Sequence, residues 1–297
     1  MRHSRSRAVL APAFLLIAAS IGVSAIASSP QDKPVAPAAP AAPAEAKPAL
    51  PDAKELLKKS VDAVGGAALR AKKKSMEMKG TMEMPGQNLK GTLVTRYLQP
   101  NKMITVIDLP GFGEMRSGFD GTVGWSASKL QGARLMTPKE LETMAREADY
   151  MKDVDPLKRY DSVETTGEAT IGGFDCWKVK AKKGEEVSTL WFEKSTGLAR
   201  GVSMTLETQL GKMPVTTVFT EYRDFDGIKL PTRTEVMQAG AKIVTAYETV
   251  TFDTVDAAAF DLPNEVKALL EPEPADDDEP AAAKPAAPAA PAEPAKP

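Results

Sequence analysis

From Lys74 to Met84 apolar and polar positions alternate strictly. Met76, Met78, Gly80, Met82 and Met84 fall on one face, and Ser75, Glu77, Lys79, Thr81 and Glu83 on the other. Alternation at period two marks a half-buried antiparallel strand. The pattern recurs downstream. Leu89, Leu93 and Tyr97 alternate with polar neighbours, Met103 to Leu109 is a short apolar strand, and Glu114 to Phe119 leads through Asp120-Gly121 into a strand carrying Trp125. Aspartate-glycine between two strand-like runs is a hairpin signal. Seven more strand-like runs follow between residues 161 and 252, most of them ended by a glycine-containing turn.

Two stretches read at helical spacing instead. Asp52 is a helix N-cap with Glu55 in the capping-box position, and Leu56, Leu57, Val61 and Val64 follow until Gly65-Gly66 stops the helix. Ala67 to Lys73 adds one more turn. Thr137, Pro138 and Glu140 open a second helix, whose stripe is Leu141, Met144, Ala145 and Ala148. Asp155 to Tyr160 reads as a further helical turn. Successive hairpins predict a meander in which each strand pairs with its sequence neighbour. A sheet of about ten or more strands must curl or split. The expected fold is therefore mainly β with α: an unclosed, strongly curved antiparallel β-sheet, a half-barrel with a concave apolar face, and an N-terminal helix and a second helical piece in or over the concavity.

The two ends differ in composition from the rest. Arg2, Arg5 and Arg7 precede an apolar run, Ala8 to Ala27, that finishes in small residues. This pattern predicts a secretory signal peptide over residues 1–27, cut after Ala27, and hence a periplasmic or secreted protein. An uncleaved membrane anchor is the alternative, since the run approaches spanning length. Residues 28–51 form an alanine- and proline-rich linker, 52–265 the folded domain, and 266–297 an acidic alanine- and proline-rich tail.

Charge and reactive residues narrow the chemistry. A formal net charge of -2 gives no reason to expect nucleic acid as a partner. The single histidine, His3, lies in the leader, which removes histidine triads, histidine general bases and histidine metal sites from the mature chain. Cys176 is the single cysteine, so no internal disulfide or thiolate cluster can form, and its strand-like setting suits an inert thiol. No cysteine stands directly after the apolar run to carry a bacterial lipid anchor. No catalytic residue, metal site or cofactor is expected. Thioethers suit copper(I), but same-face neighbours on one strand lie about 6.6–6.8 Å apart and do not converge on one ion unaided.

Several motifs together resemble the outer-membrane lipoprotein carrier superfamily, the LolA and LolB type, and its "outer membrane lipoprotein-sorting" relatives. They are the leading helix ending at Gly65-Gly66, Lys79-Gly80-Thr81, Pro100-Asn101-Lys102, and Gly118-Phe119-Asp120-Gly121 before Trp125. Glu221-Tyr222-Arg223, Asp226-Gly227-Ile228-Lys229-Leu230-Pro231 and Phe260-Asp261-Leu262-Pro263 complete the set. The resemblance covers residues 52 to 263. It implies a half-barrel with helices as a lid, acyl chains held between sheet and lid, and lipid or acylated protein as cargo, with envelope membrane proteins as candidate partners. In the carriers an arginine precedes the Pro-Asn pair and hydrogen-bonds to the lid. Gln99 stands there in this chain, with Arg96 three positions earlier, so Gln99 and Arg96 are the latch candidates.

Under that resemblance the cavity candidates are Met76, Met78, Met82, Met84, Leu93, Tyr97, Trp125, Leu141, Met144, Trp177 and Val179. Methionine is unbranched and adapts to ligands of variable shape. Each buried methylene of an acyl chain is worth about 0.8 kcal/mol. The competing expectation is an envelope structural or interaction module in which the same residues simply fill a core.

Overall fold

A computed structural model describes residues 49–152, 154, 156–208 and 211–271. The leader, most of the 28–51 segment and the chain beyond 271 lie outside the described residues. The first six strands are β1 Ser75–Met84, β2 Leu89–Leu98, β3 Lys102–Leu109, β4 Gly113–Phe119, β5 Gly124–Ser128 and β6 Gly132–Leu135. The other seven are β7 Ser162–Ile171, β8 Phe174–Lys183, β9 Glu186–Glu193, β10 Ala199–Thr208, β11 Gly211–Phe225, β12 Ile228–Gln238 and β13 Ala241–Phe252. All thirteen belong to one unclosed antiparallel sheet, in the order β6-β5-β4-β3-β2-β1-β13-β12-β11-β10-β9-β8-β7.

Every expected hairpin forms, but the simple meander needs one correction. β6 and β7 do not pair; they are the two edges, and the first strand pairs with the last through Met76↔Phe252 and Met82↔Thr245. The physical reason lies in which strands can bear an unpaired edge. β1 buries its methionine face and is flanked on both sides. β6 has only four residues, and β7 alternates exposed and half-buried positions throughout. β6 itself was not anticipated, because Gly132-Ala133-Arg134-Leu135 is too short and too polar to signal a strand.

The helices are α1 Ala53–Ala63, α2 Ala67–Lys72, α3 Pro138–Ala148, α4 Pro156–Arg159 and α5 Asn264–Lys267. The Asp52 carboxylate accepts from the amides of Lys54 (2.8 Å) and Glu55 (3.1 Å), capping α1. Thr137 and Glu140 form the reciprocal capping box of α3. Ala53, Leu56 and Leu57 of α1 pack on Val179, Ala181, Leu190 and Phe192. α3 lies against β3, β4 and β5, where Leu141 and Met136 close over Gly124.

Register assigns the two faces. Met78, Thr95, Thr105, Ser117 and Ser126 are successive cross-strand partners and share the inner face. Ile104, Gly118 and Trp125 are likewise aligned, one residue out of phase, and so lie on the outer face. That outer face is covered by residues 257–267. A 3-10 turn, Ala257–Phe260, and α5 bring Phe260 and Val266 onto Ile104 and Trp125. Packed structure therefore continues past residue 265, since Val266 is fully buried. At the other end the Thr165 hydroxyl donates to Pro51 O (2.7 Å), so the fold begins slightly before Asp52.

Candidate ligand cavity

Between the inner face and the helices lies a cavity of about 400 Å³. Its floor is Met76 and Met78 of β1, Tyr97 of β2, and Tyr247 of β13. Leu190, Phe192, Val202, Met204, Phe219 and Leu230 extend it under β9 to β12. Its roof is the end of α1 (Ser60, Val64), Arg70 of α2, then Glu147, Asp149, Lys152 and Val154, and Pro156, Arg159 and Tyr160 in and just after α4. Pockets of about 300–1,000 Å³ with mostly apolar walls and a few placed polar groups are the usual form of a small-molecule site.

The roof is fixed by specific contacts. Between α1 and α2, Gly65 has φ 101 and approaches the backbone of Gly227 so closely that a Cβ would lie 2.2 Å from Gly227 O. The Lys229 amide donates to Val64 O (3.1 Å), and Lys73 Nζ lies 3.0 Å from Asp226 Oδ2. These bonds seat the α1–α2 corner on the turn between β11 and β12. Gln99 holds the far end of α2: its Nε2 donates to Ala71 O (3.2 Å) and Lys73 O (2.8 Å). Arg96 does not reach the roof; it pairs across the outer face with Glu77 at 2.6 Å. Tyr150 completes the roof. It is 1% exposed, its hydroxyl donates to Ser75 O (3.4 Å), and it packs with Met76, Met78, Ile228 and Leu230.

The floor is mainly apolar, whereas charged groups gather in the roof and rim, where Arg70, Glu147, Asp149, Lys152 and Arg159 line the cavity. The Tyr247 hydroxyl lies 3.1 Å from Thr95 Oγ1, and burial pushes the phenol well above its usual range. At the rim, Lys152 Nζ sits 2.8 Å from Glu147 Oε2 and 5.4 Å above the Tyr97 ring. The Lys152 charge, followed by the Arg159 and Arg146 charges, holds the Glu147 carboxyl below the usual range, against its burial. Cys176 is fully buried, and burial, then the Glu193 charge, pushes its thiol up to about 11. At neutral pH it is a thiol and a poor nucleophile. Among the described residues no group of three or more His, Cys, Asp or Glu side chains is placed to hold a metal ion.

The residues singled out by sequence divide into those the cavity gathers and those it does not. Met76, Met78 and Tyr97 line it. Met82, Met84 and Leu93 lie on the same face but pack with Ile107 and Leu109 in a filled cluster beside it. Val179 and Trp177 belong to the cluster beneath α1, and Lys194 Nζ stacks 4.4 Å from the Trp177 ring. Leu141 closes over Gly124, and Met144 is half-buried on the same helix, outside the lining. Trp125 is on the opposite face altogether. The second helical piece expected in or over the concavity, α3, covers β3 to β5 to one side, and the roof over the cavity is built by α1, α2 and α4 with Glu147, Asp149, Lys152 and Val154. Arg70 and Tyr150 were not anticipated. Arg70 sits in a run with Lys72, Lys73 and Lys74 that reads as solvated charge, and Tyr150 falls outside the stripe of α3.

Comparison with known proteins places this geometry among related folds. Residues 135–266 match a family model described as a domain of unknown function, DUF4412. No curated protein matches the sequence. The chain is similar in structure to a DUF1329 family protein from Desulfovibrio piger, with a TM-score of 0.51 and 14% identity over 71% of this chain and 97% of that one. It is also similar to an outer membrane lipoprotein-sorting protein domain from Vibrio parahaemolyticus, with a TM-score of 0.49 and 13% identity over 73% and 97% of the two chains. A LolA superfamily protein from Nitrosomonas europaea gives 0.47 and 15% over 72% and 99%. At such identities the likeness is one of fold.

Proposed function

We propose that this protein is a periplasmic or secreted carrier or binder of a lipid or lipid-modified protein, held in the cavity between sheet and roof. The observation that carries the reading is the roofed cavity itself, whose floor of Met76, Met78, Tyr97 and Tyr247 is apolar and adaptable. An acyl chain offers no polar features, so recognition by flexible apolar contact is sufficient. The basic and apolar leader supports delivery to the envelope, where such cargo occurs. The reading requires no catalysis.

Met204 provides the test. It is half-buried on β10 and lines the cavity away from the roof contacts. Met204→Trp should fill the cavity and weaken binding of a fluorescent fatty-acid probe at least about tenfold, the loss of a few buried methylenes. Thermal melting should report a folded protein. Undiminished probe binding by the folded variant would place the ligand elsewhere and remove the main support for this reading.

A further inference from the structure

The cavity wall contains a buried charge, Arg70, for which the described residues supply no counter-charge. Arg70 is 6% exposed and lines the cavity. Its Nε donates to Tyr150 O at 3.4 Å, its Nη1 lies 3.5 Å from Met76 Sδ, and its Cζ stacks 4.4 Å from the centre of the Tyr150 ring. The bond to Tyr150 O is long, and the other acceptor is a thioether, so both are weak. Among the described residues no carboxylate pairs with Arg70. Asp149, on the same rim, accepts from the Met151 amide (2.9 Å), while Glu147 pairs with Lys152 and Arg159.

A guanidinium cannot shed its proton, and taking it out of water is costly unless an anion compensates. The stacking on Tyr150 orients the planar fork without neutralising it. A fixed, under-satisfied guanidinium opening on a cavity with a mainly apolar floor is the arrangement that binds a carboxylate or phosphate bidentately. We propose that Arg70 is the head-group site of the cavity: it takes the acidic head, carboxylate or phosphate, of an amphiphile whose chain lies along Met76, Met78 and Tyr97. This deepens the carrier reading and rests on it. The acidic head supplies the missing counter-charge, so ligand and roof are coupled through α2. Binding should order the α1–α2 corner as well as fill the floor.

The experiment is calorimetric titration of the full folded domain with its tails, using palmitate, hexadecyl phosphate, hexadecanol and inorganic phosphate. The wild type is compared with Arg70→Met and Arg70→Lys, each checked for folding by thermal melting. The wild type should bind both acidic amphiphiles at least about tenfold tighter than hexadecanol, the scale of a charge-assisted hydrogen bond. Arg70→Met should bind all three chains equally, and Arg70→Lys should keep part of the preference. A wild type with no preference for the acidic heads, or an Arg70→Met variant that keeps it, overturns the assignment. Inorganic phosphate binding as tightly as hexadecyl phosphate would make Arg70 a site for a free anion and also overturn it. Equal binding of all three chains sinks only the role of Arg70, whereas no binding by any of them sinks the carrier reading itself. Should Arg70→Met fail to fold, the wild-type preference and Arg70→Lys still decide.

Discussion

Replacing Trp125 with alanine should cost about 3–5 kcal/mol of stability, the range for removing a large buried aromatic, yet leave ligand affinity of the folded protein unchanged. Trp125 is 2% exposed and packs with Ile104, Phe260 and Val266. Its loss would open a cavity between the sheet and the C-terminal segment, so the damage is to the clamp that holds Phe260 and α5. The ligand cavity lies on the other side of the sheet, and Trp125 is not part of its lining. Urea unfolding would read the stability change, and titration with a fluorescent fatty acid under native conditions would read binding. A Trp125→Ala protein of normal stability that no longer binds the probe would mean that the two faces have been assigned the wrong way round.

The second large effect is expected at Gly80. There β1 meets β13 across a bulge: Lys79 pairs with Thr249 and Gly80 with Tyr247, so Glu248 is left over on β13. A Cβ on Gly80 would lie 1.9 Å from Ala246 O and 2.7 Å from Tyr247 Cα. Both neighbours are backbone and cannot swing aside. Gly80→Ala should therefore cost about 3 kcal/mol, at the upper end of overpacking penalties, because relief requires parting the strands that join the two halves of the sheet. The same bulge positions Tyr247 on the cavity floor, so probe affinity should fall with stability. A midpoint of urea unfolding equal to that of the wild type would contradict the described β1–β13 register.

The two sites also mark what could be read from residues alone. The methionine face of β1 was readable because period two is a property of one strand. Which methionines face a void was not, since that depends on partners brought from far along the chain. Met76 and Met78 meet Tyr150 and the β12 residues Ile228 and Leu230, whereas Met82 and Met84 meet Leu93, Ile107 and Leu109. Trp125 shows the same limit. Its hairpin was evident from Asp120-Gly121, but its face is set by the register of β4 and β5 on β3, and its cover comes from residues beyond 256. The β1–β13 pairing left no local signal, because it joins the two ends of the folded chain by way of the β6-to-β7 crossover that carries α3 and α4, not across a turn. The capping box of α3 was readable in full, being a contact between residues three apart. What α3 covers was not. Arg70 was hidden for a related reason: a charge in a basic run reads as exposed until the fold places Tyr150 and Met76 around it.

The central claim is that the cavity holds a lipid-like ligand, and its most direct test is solvent extraction followed by mass spectrometry. The full chain would be produced with its leader in a bacterial envelope and purified without detergent. About one acyl-bearing molecule per protein is expected, enriched in species with acidic heads and reduced in Met204→Trp. An extract free of lipid, from a folded protein that also fails to take up a fluorescent fatty acid, would contradict it and leave a sheet whose inner face serves only to hold the fold together.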